Sequence, residues 1–148
     1  MYDILIFLAL MALGYGFGRY AEAKHYKSII QREQDLQHLP AVSSKVLPKV
    51  THVDNILVSG NVVISVDYFK RFLAMLRNFF GGRITAYETL LDRARREAIL
   101  RMKEQAKAMG ANIIFNVKME TSSIYKGEKD SVGSVEILAY GTALIPKQ

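Results

Sequence analysis

An uncharged, mostly apolar run from Ile4 to Gly18 constrains the fold of this chain more than any other feature of its sequence. With Tyr2 and Tyr20 as its interfacial ends, the segment has about twenty residues, which as a helix match a hydrocarbon core of about 30 Å. Such a segment is either a retained transmembrane helix or the apolar part of a cleaved signal peptide. Either way, it does not belong to the core of a soluble domain.

The charges around this run favour a retained anchor. A signal peptide begins with positive residues, whereas here Asp3 precedes the run and Arg19, Lys24 and Lys27 follow it. Because positive flanks stay on the cytoplasmic side, the sequence predicts a single-pass membrane protein with its amino terminus outside and its folded part in the cytoplasm. The alternative is cleavage at the small-x-small motif of residues 21–23.

The length of the chain leaves room for about one folded domain behind the anchor. We predict a transmembrane anchor over residues 1–20, a juxtamembrane stalk and linker over 21–48, and a folded domain over 49–148. The stalk is compatible with a helix until Pro40, and Pro48 with the serines at 43 and 44 indicates an irregular connection.

The composition excludes several kinds of site. The chain has no cysteine, which rules out disulfides, thiolate nucleophiles and cysteine-ligated zinc or iron–sulfur centres. The net charge of +6, from 20 Lys and Arg against 14 Asp and Glu, attracts phosphate groups in general. The sequence lacks the aromatic–basic repeat and the motifs typical of nucleic-acid binding, so we expect no nucleic-acid partner.

The first half of the domain is predicted to be a strand followed by two helices. The strand covers 57–66, with a bulge or turn at 59–61. An amphipathic helix follows Asp67 and ends at the glycines 81–82. A second helix begins at Thr85 and runs to about residue 109, where Glu97 and Arg101 have ion-pair spacing. Its apolar face consists of Tyr87, Leu91, Ala94, Ala98, Met102 and Met109.

The second half is predicted to supply two further strands. Residues 113–120 alternate between apolar and polar, 122–133 form a polar loop, and 135–145 are apolar on both faces. This order predicts an α+β fold, with a small antiparallel sheet and two helices on one face. The uncovered face of the last strand needs a partner, and we expect a second copy of the chain to cover it. The residues of this predicted oligomer interface are Leu138, Tyr140, Thr142 and Leu144.

Several segments of this domain together resemble one known family. They are Val58–Val63, Tyr68–Ala74, Arg77–Arg83, Ala86–Glu88, Ala106–Asn112 and Ala139–Ala143. They are similar to the YbjQ family, also called UPF0145 or the "putative heavy-metal-binding" domain, over about residues 56–146. The resemblance implies a dodecin-like α+β subunit that assembles into a ring, in known members a pentamer, and it brings no catalytic residues. Because an anchor and stalk stand where short soluble members have an early strand, this chain resembles a membrane-anchored variant.

Two kinds of ligand site are left open by the sequence. His25, His38 and His52 are thirteen and fourteen residues apart, so no pair has the spacing of metal ligands within one chain. A ring would bring His52 of several copies together, and Glu120 would supply oxygen ligands in the same way. A divalent metal ion is therefore the one cofactor we keep open. Arg83 precedes a helix start, where it either binds an anion or contacts a neighbouring subunit.

The sequence shows no nucleophile–base pair and no phosphate loop. We therefore predict a non-enzymatic, membrane-anchored homo-oligomer that serves as a binding or scaffold protein, with the lipid bilayer and its own copies as partners. The alternative is a module that binds a metal or small ligand at sites between subunits.

Overall fold

A computed structural model describes residues 2–46, 53–65, 85–127 and 131–147 of the protein. Its elements in chain order are α1 (Tyr2–Asp35), β1 (Val53–Ser65), α2 (Thr85–Ala108), β2 (Ile113–Gly127) and β3 (Ser131–Pro146). The chain divides into two compact units, Met1–Asp35 and Leu36–Gln148. The three strands form one antiparallel sheet, which confirms the predicted α+β class.

Helix α1 makes up the first unit and is unbroken over 34 residues. It is long and apolar enough to cross a membrane, and its large apolar side chains are exposed, with Phe17 at 78%. A helix of this length spans about 50 Å, whereas a hydrocarbon core is about 30 Å thick. The helix therefore continues well past the apolar run, into the charged segment that the sequence predicts to be a stalk.

The sheet has the strand order β1-β3-β2, so β3 is its central strand. This agrees with the apolar residues that β3 carries on both faces. The polar loop predicted over 122–133 is wrong, because β2 continues to Gly127 and β3 already starts at Ser131. Serine, threonine and tyrosine are compatible with a strand, and the ladder of backbone hydrogen bonds needs no apolar side chain.

Helix α2 packs on one face of the sheet through buried residues four positions apart: Ala94, Ala98, Met102 and Ala106. The small alanines let the helix come so close to β1 that a Cβ on Gly60 would clash with the backbone of Ala98 and Met102. The bulge or turn predicted at 59–61 is wrong, since β1 stays in unbroken register with β3 there. The glycine allows close packing and does not mark a turn.

The predicted boundaries of α2 are confirmed to within one residue. The helix ends at Ala108, and Gly110 follows in the left-handed region with φ of 78°. Met109, predicted on the apolar face, is 39% exposed because it lies beyond the last turn. The helix predicted over 67–80 lies outside the described residues.

The segment predicted as an irregular linker is hydrogen-bonded to the sheet. Residues 40–44, here called the edge segment, lie parallel to β2, with a bridge between Ala41 and Ile114. The amide of Val42 donates to Ile114 O at 2.9 Å, and the amide of Val117 donates to Val42 O at 3.0 Å. The second unit therefore begins at Leu36, earlier than the boundary predicted near Lys49, a residue outside the described ranges.

A bulge in β2 fits this strand to the edge segment. The register with β3 shifts between Phe115 and Lys118, and Asn116 has a positive φ of 53°. Because of the bulge, two successive amides point to the same side. One is that of Val117, and the amide of Asn116 donates to Ser44 O at 2.9 Å. On β3, Gly141 lies opposite, where a Cβ would be 2.9 Å from Ile114 Cγ2.

Candidate functional site

The face of the sheet that points away from α2, here called the outer face, is the main candidate surface. Because Gly60 and its neighbours on alternate positions face α2, the intervening residues face the other way. The cross-strand pairs place them in rows across β1, β3 and β2, and four successive rows make up the middle of the face. The rows are Leu57–Thr142–Phe115, Ser59–Tyr140–Lys118, Asn61–Leu138–Glu120 and Val63–Glu136–Ser122.

Apolar side chains are prominent on the outer face. Leu57 is 69% exposed and Val63 is 55% exposed, and both belong to the edge strand β1. Phe115, Leu138 and Tyr140 are half-buried on the same face. Fully burying a side chain of this type stabilises by about 1.5–3 kcal/mol, so much of that free energy is still available to a partner that covers the face.

Polar groups lie between these apolar side chains. Lys118 and Glu120 are two residues apart on β2, both exposed, so opposite charges stand side by side on this face. Asn61 Nδ2 donates to Glu136 Oε1 at 2.9 Å across the sheet. The outer face is thus mixed in character, as non-obligate interfaces generally are.

The four residues predicted for the oligomer interface fall on β3, at the centre of the sheet. Leu138, Tyr140 and Thr142 are half-buried on the outer face. Leu144 is only 2% exposed within the single chain, so it has little area left to offer a second copy. Sequence reasoning missed Leu57 and its neighbours on β1 and β2, although the alternation along 57–63 would have placed Leu57 and Val63 on one face.

The outer edge of β1 is occupied in its middle by side chains of α2. Arg101 Nη1 donates to the carbonyl oxygen of Asn61 at 2.8 Å, and the amide of Ser59 donates to Gln105 Oε1 at 2.8 Å. Arg101 Nε also pairs with the buried carboxylate of Glu97 at 3.0 Å, which confirms the ion pair predicted from their spacing. These contacts take up backbone groups that a foreign strand would need for pairing.

The opposite edge of the sheet is also occupied, since the edge segment takes up the outward backbone groups of β2 between Ile114 and Val117. A second copy therefore meets hydrogen-bonded groups at the middle of β1 and along the start of β2. The outer face is the broader surface that the described part of the chain leaves accessible.

The predicted ligand residues do not come together in the described part of the chain. His25 is exposed on α1, His38 is exposed in the turn after it, and Glu120 is exposed on the outer face. Among the described residues, no three or more His, Asp or Glu side chains lie close enough to hold a metal ion. His52 and Arg83 lie outside the described ranges, so the metal and anion sites that involve them stay predictions.

Comparisons with known proteins point to one family. A family model described as "Putative heavy-metal-binding" (YbjQ_1) matches residues 43–147. The chain is 43% identical over 89 residues to a UPF0145 protein of Hahella chejuensis, covering 60% of this chain and 80% of the relative. It is 33% identical over 112 residues to a UPF0145 protein of Pyrococcus furiosus, covering 74% of this chain and 92% of the relative.

A crystal structure of a protein of unknown function from Pediococcus pentosaceus, assigned to the DUF74 family, is also similar to this chain. It shares 13% sequence identity with a TM-score of 0.43, over 74% of this chain and 98% of the other.

Proposed function

The chain belongs to the YbjQ family, also called UPF0145, and from this we propose that it is a non-enzymatic, membrane-anchored homo-oligomer that acts as a binding or scaffolding platform. The observation that carries the proposal is the outer face of the sheet, with Leu57 and Val63 exposed beside half-buried apolar residues. The sequence contains no thiol and no nucleophile–base pair that would indicate a catalytic role.

Helix α1 supports the membrane part of the proposal. Its apolar run is exposed and long enough to span a bilayer, and exposing so many large apolar side chains to water is unfavourable. By the positive-inside rule, the basic residues after the run support an orientation with the amino terminus outside and the YbjQ domain in the cytoplasm.

The arrangement of faces and edges supports self-association through the outer face. Side chains of α2 occupy the middle of the β1 edge, and the edge segment occupies the start of the β2 edge, which disfavours extension of the sheet from copy to copy at these positions. Apolar residues on the outer face lose contact with water when a second copy covers them. The family resemblance favours five copies in a ring, in which the outer face of each copy contacts a different surface of the next copy.

Native mass spectrometry of the full-length protein, released from detergent micelles, tests this proposal. We expect a homo-oligomer, with five copies favoured, for the wild type. The variant Leu57→Glu/Val63→Glu should dissociate to monomers, because it places charges at the apolar positions of the outer face. Val46→Glu is the matched control, since Val46 is 79% exposed but lies outside this face, and it should keep the wild-type mass.

A monomeric wild type would overturn the proposal. Equal dissociation of the Val46→Glu variant and the outer-face variant would show that added charge in general, and not this surface, controls assembly. Far-UV circular dichroism of all three proteins checks that the fold is retained, which is expected because the altered side chains are exposed.

The alternative function is a module that binds a metal or small ligand between copies. Two observations favour it: the description of the matching family model and the exposed carboxylate of Glu120 on the outer face. A divalent ion bound by carboxylates of neighbouring copies would raise the melting temperature with saturation. Thermal melts of the full-length protein with added Zn²⁺, Mn²⁺ or Mg²⁺ test this, and the variant Glu120→Gln should abolish any such rise.

A further inference from the structure

Three basic side chains follow the apolar run of α1 and lie on one side of the helix. Arg19, Lys24 and Lys27 are all exposed, and the helix that carries them is unbroken. At 3.6 residues per turn, Lys27 and Lys24 stand about 80° and 140° around the helix from Arg19. Tyr20 is 69% exposed and lies within the same arc. We call these four residues the basic band.

The carboxylate nearest to the basic band is that of Glu22, which stands about 60° around the helix from Arg19, three residues along the chain and on the side away from Lys24. One carboxylate thus borders the band beside Arg19, and the three basic side chains leave its net charge positive. An extended positive surface of this kind suits a planar array of negative groups better than a single small ion.

The axial position of the basic band matches the headgroup layer of a bilayer. Arg19 follows the last residue of the apolar run directly, and Lys27 lies about 12 Å farther along the axis. Each headgroup layer is about 5–8 Å thick. Helical side chains lean toward the amino terminus, which is the bilayer side in this helix, so the long side chains of Lys24 and Lys27 reach back to that layer.

We propose that the basic band binds the anionic headgroups of phospholipids, and thereby prefers phosphatidylglycerol to phosphatidylcholine around the anchor. The guanidinium of Arg19 binds phosphate oxygens through two parallel hydrogen bonds. Lys24 and Lys27 add charge within the screening length of the surface, and Tyr20 places an amphipathic ring at the interface. This inference rests on the proposed membrane anchoring.

The test uses the full-length protein in phosphatidylcholine vesicles that contain a trace of spin-labelled phosphatidylglycerol or spin-labelled phosphatidylcholine. Electron paramagnetic resonance measures the fraction of each labelled lipid immobilised at the protein. We expect a preference for phosphatidylglycerol of about fivefold, the factor that one basic residue close to an anionic surface supplies. The preference should fall toward one in the variant Arg19→Gln/Lys24→Gln/Lys27→Gln, and also in molar salt.

A second variant removes the same charge elsewhere. Lys45, Arg95 and Lys107 are exposed in the second unit, and their joint replacement by glutamine should leave the lipid preference unchanged. If this variant loses the preference while the basic-band variant keeps it, lipid binding takes place on the folded domain, and the inference is overturned.

Flotation of the vesicles on a sucrose gradient separates this inference from the proposed function. If the protein floats with the vesicles but shows no preference for phosphatidylglycerol, only the basic band is refuted. If the wild type does not float, the membrane anchoring itself fails, and the lipid inference fails with it.

Discussion

Gly60 offers a sharp test of how α2 packs on the sheet. In the variant Gly60→Ala, the new Cβ would meet the backbone of Ala98 and the amide nitrogen of Met102, and would lie 2.8 Å from Arg101 Cβ. Backbone atoms of a helix cannot rotate away as a side chain does, so α2 has to move off the sheet. That movement loosens the row of small residues through which the helix is buried.

The size of the effect follows from two opposing contributions. Overpacking of this kind costs about 1–3 kcal/mol, and the backbone contacts place Gly60→Ala near the upper end. Alanine in place of glycine restricts the unfolded chain, which offsets about 0.4–1 kcal/mol. The net loss is about 2 kcal/mol, which lowers the melting temperature of a unit of this size by about 10 °C.

Thermal melts of the full-length protein in detergent, followed by far-UV circular dichroism, measure this shift. Gly141→Ala is a graded control, because its nearest contact is the Cγ2 methyl of the Ile114 side chain, at 2.9 Å, and it should lose about half as much. A Cβ added at Gly16 in α1 would meet nothing within 4 Å, so Gly16→Ala should not shift the transition. A Gly60→Ala variant that melts within about 2 °C of the wild type, or above Gly141→Ala, would refute the close approach of α2.

Three further predictions concern the described contacts. Arg101→Ala/Gln105→Ala should destabilise the domain by about 1–3 kcal/mol in urea titrations and promote aggregation in light scattering, because it leaves backbone groups of β1 unpaired. The variant with methionine at both positions should aggregate similarly. A variant that stays soluble and fully stable would contradict the role of Arg101 and Gln105 at the edge of β1. Asn116→Ala should cost about 1 kcal/mol, since alanine tolerates a φ of 53° less well than asparagine, and Asn116→Gly should be at least as stable as wild type in the same titration. Lys147→Ala should change stability by less than about 0.5 kcal/mol, because its 2.9 Å pair with Asp54 is solvent-exposed; a larger loss would show that the pair matters more than its exposure implies.

Local signals in the sequence were sufficient for α2 and for the existence of strand β3. The helical spacing from Ala94 to Met102 and the glycine at 110 define a helix without knowledge of the rest of the chain. The apolar residues on both faces of 135–145 predict a strand, and β3 is found there, with its central place in the sheet given by the structure alone.

Features that depend on contacts distant in sequence could not be predicted in this way. The edge segment pairs with residues more than seventy positions later, through backbone groups that every residue carries. The role of Gly60 depends on a helix that begins 25 residues later, and a lone glycine in a strand is equally typical of a bulge. Alternation within a strand shows which of its residues share a face, but only the register of the sheet places Leu57 and Phe115 in one row with Thr142 of β3.

The edge segment also determines where the protein can be shortened. A fragment cut at Lys49, the boundary that the sequence suggests, loses the backbone partners of Ile114 and Val117 together with the buried Leu39. The exposed edge of β2 in this fragment would pair with other copies. The oligomeric state measured for the fragment would therefore be a result of the truncation. A fragment that starts at Leu36 keeps the edge segment paired with β2, so its oligomeric state would be that of the protein itself.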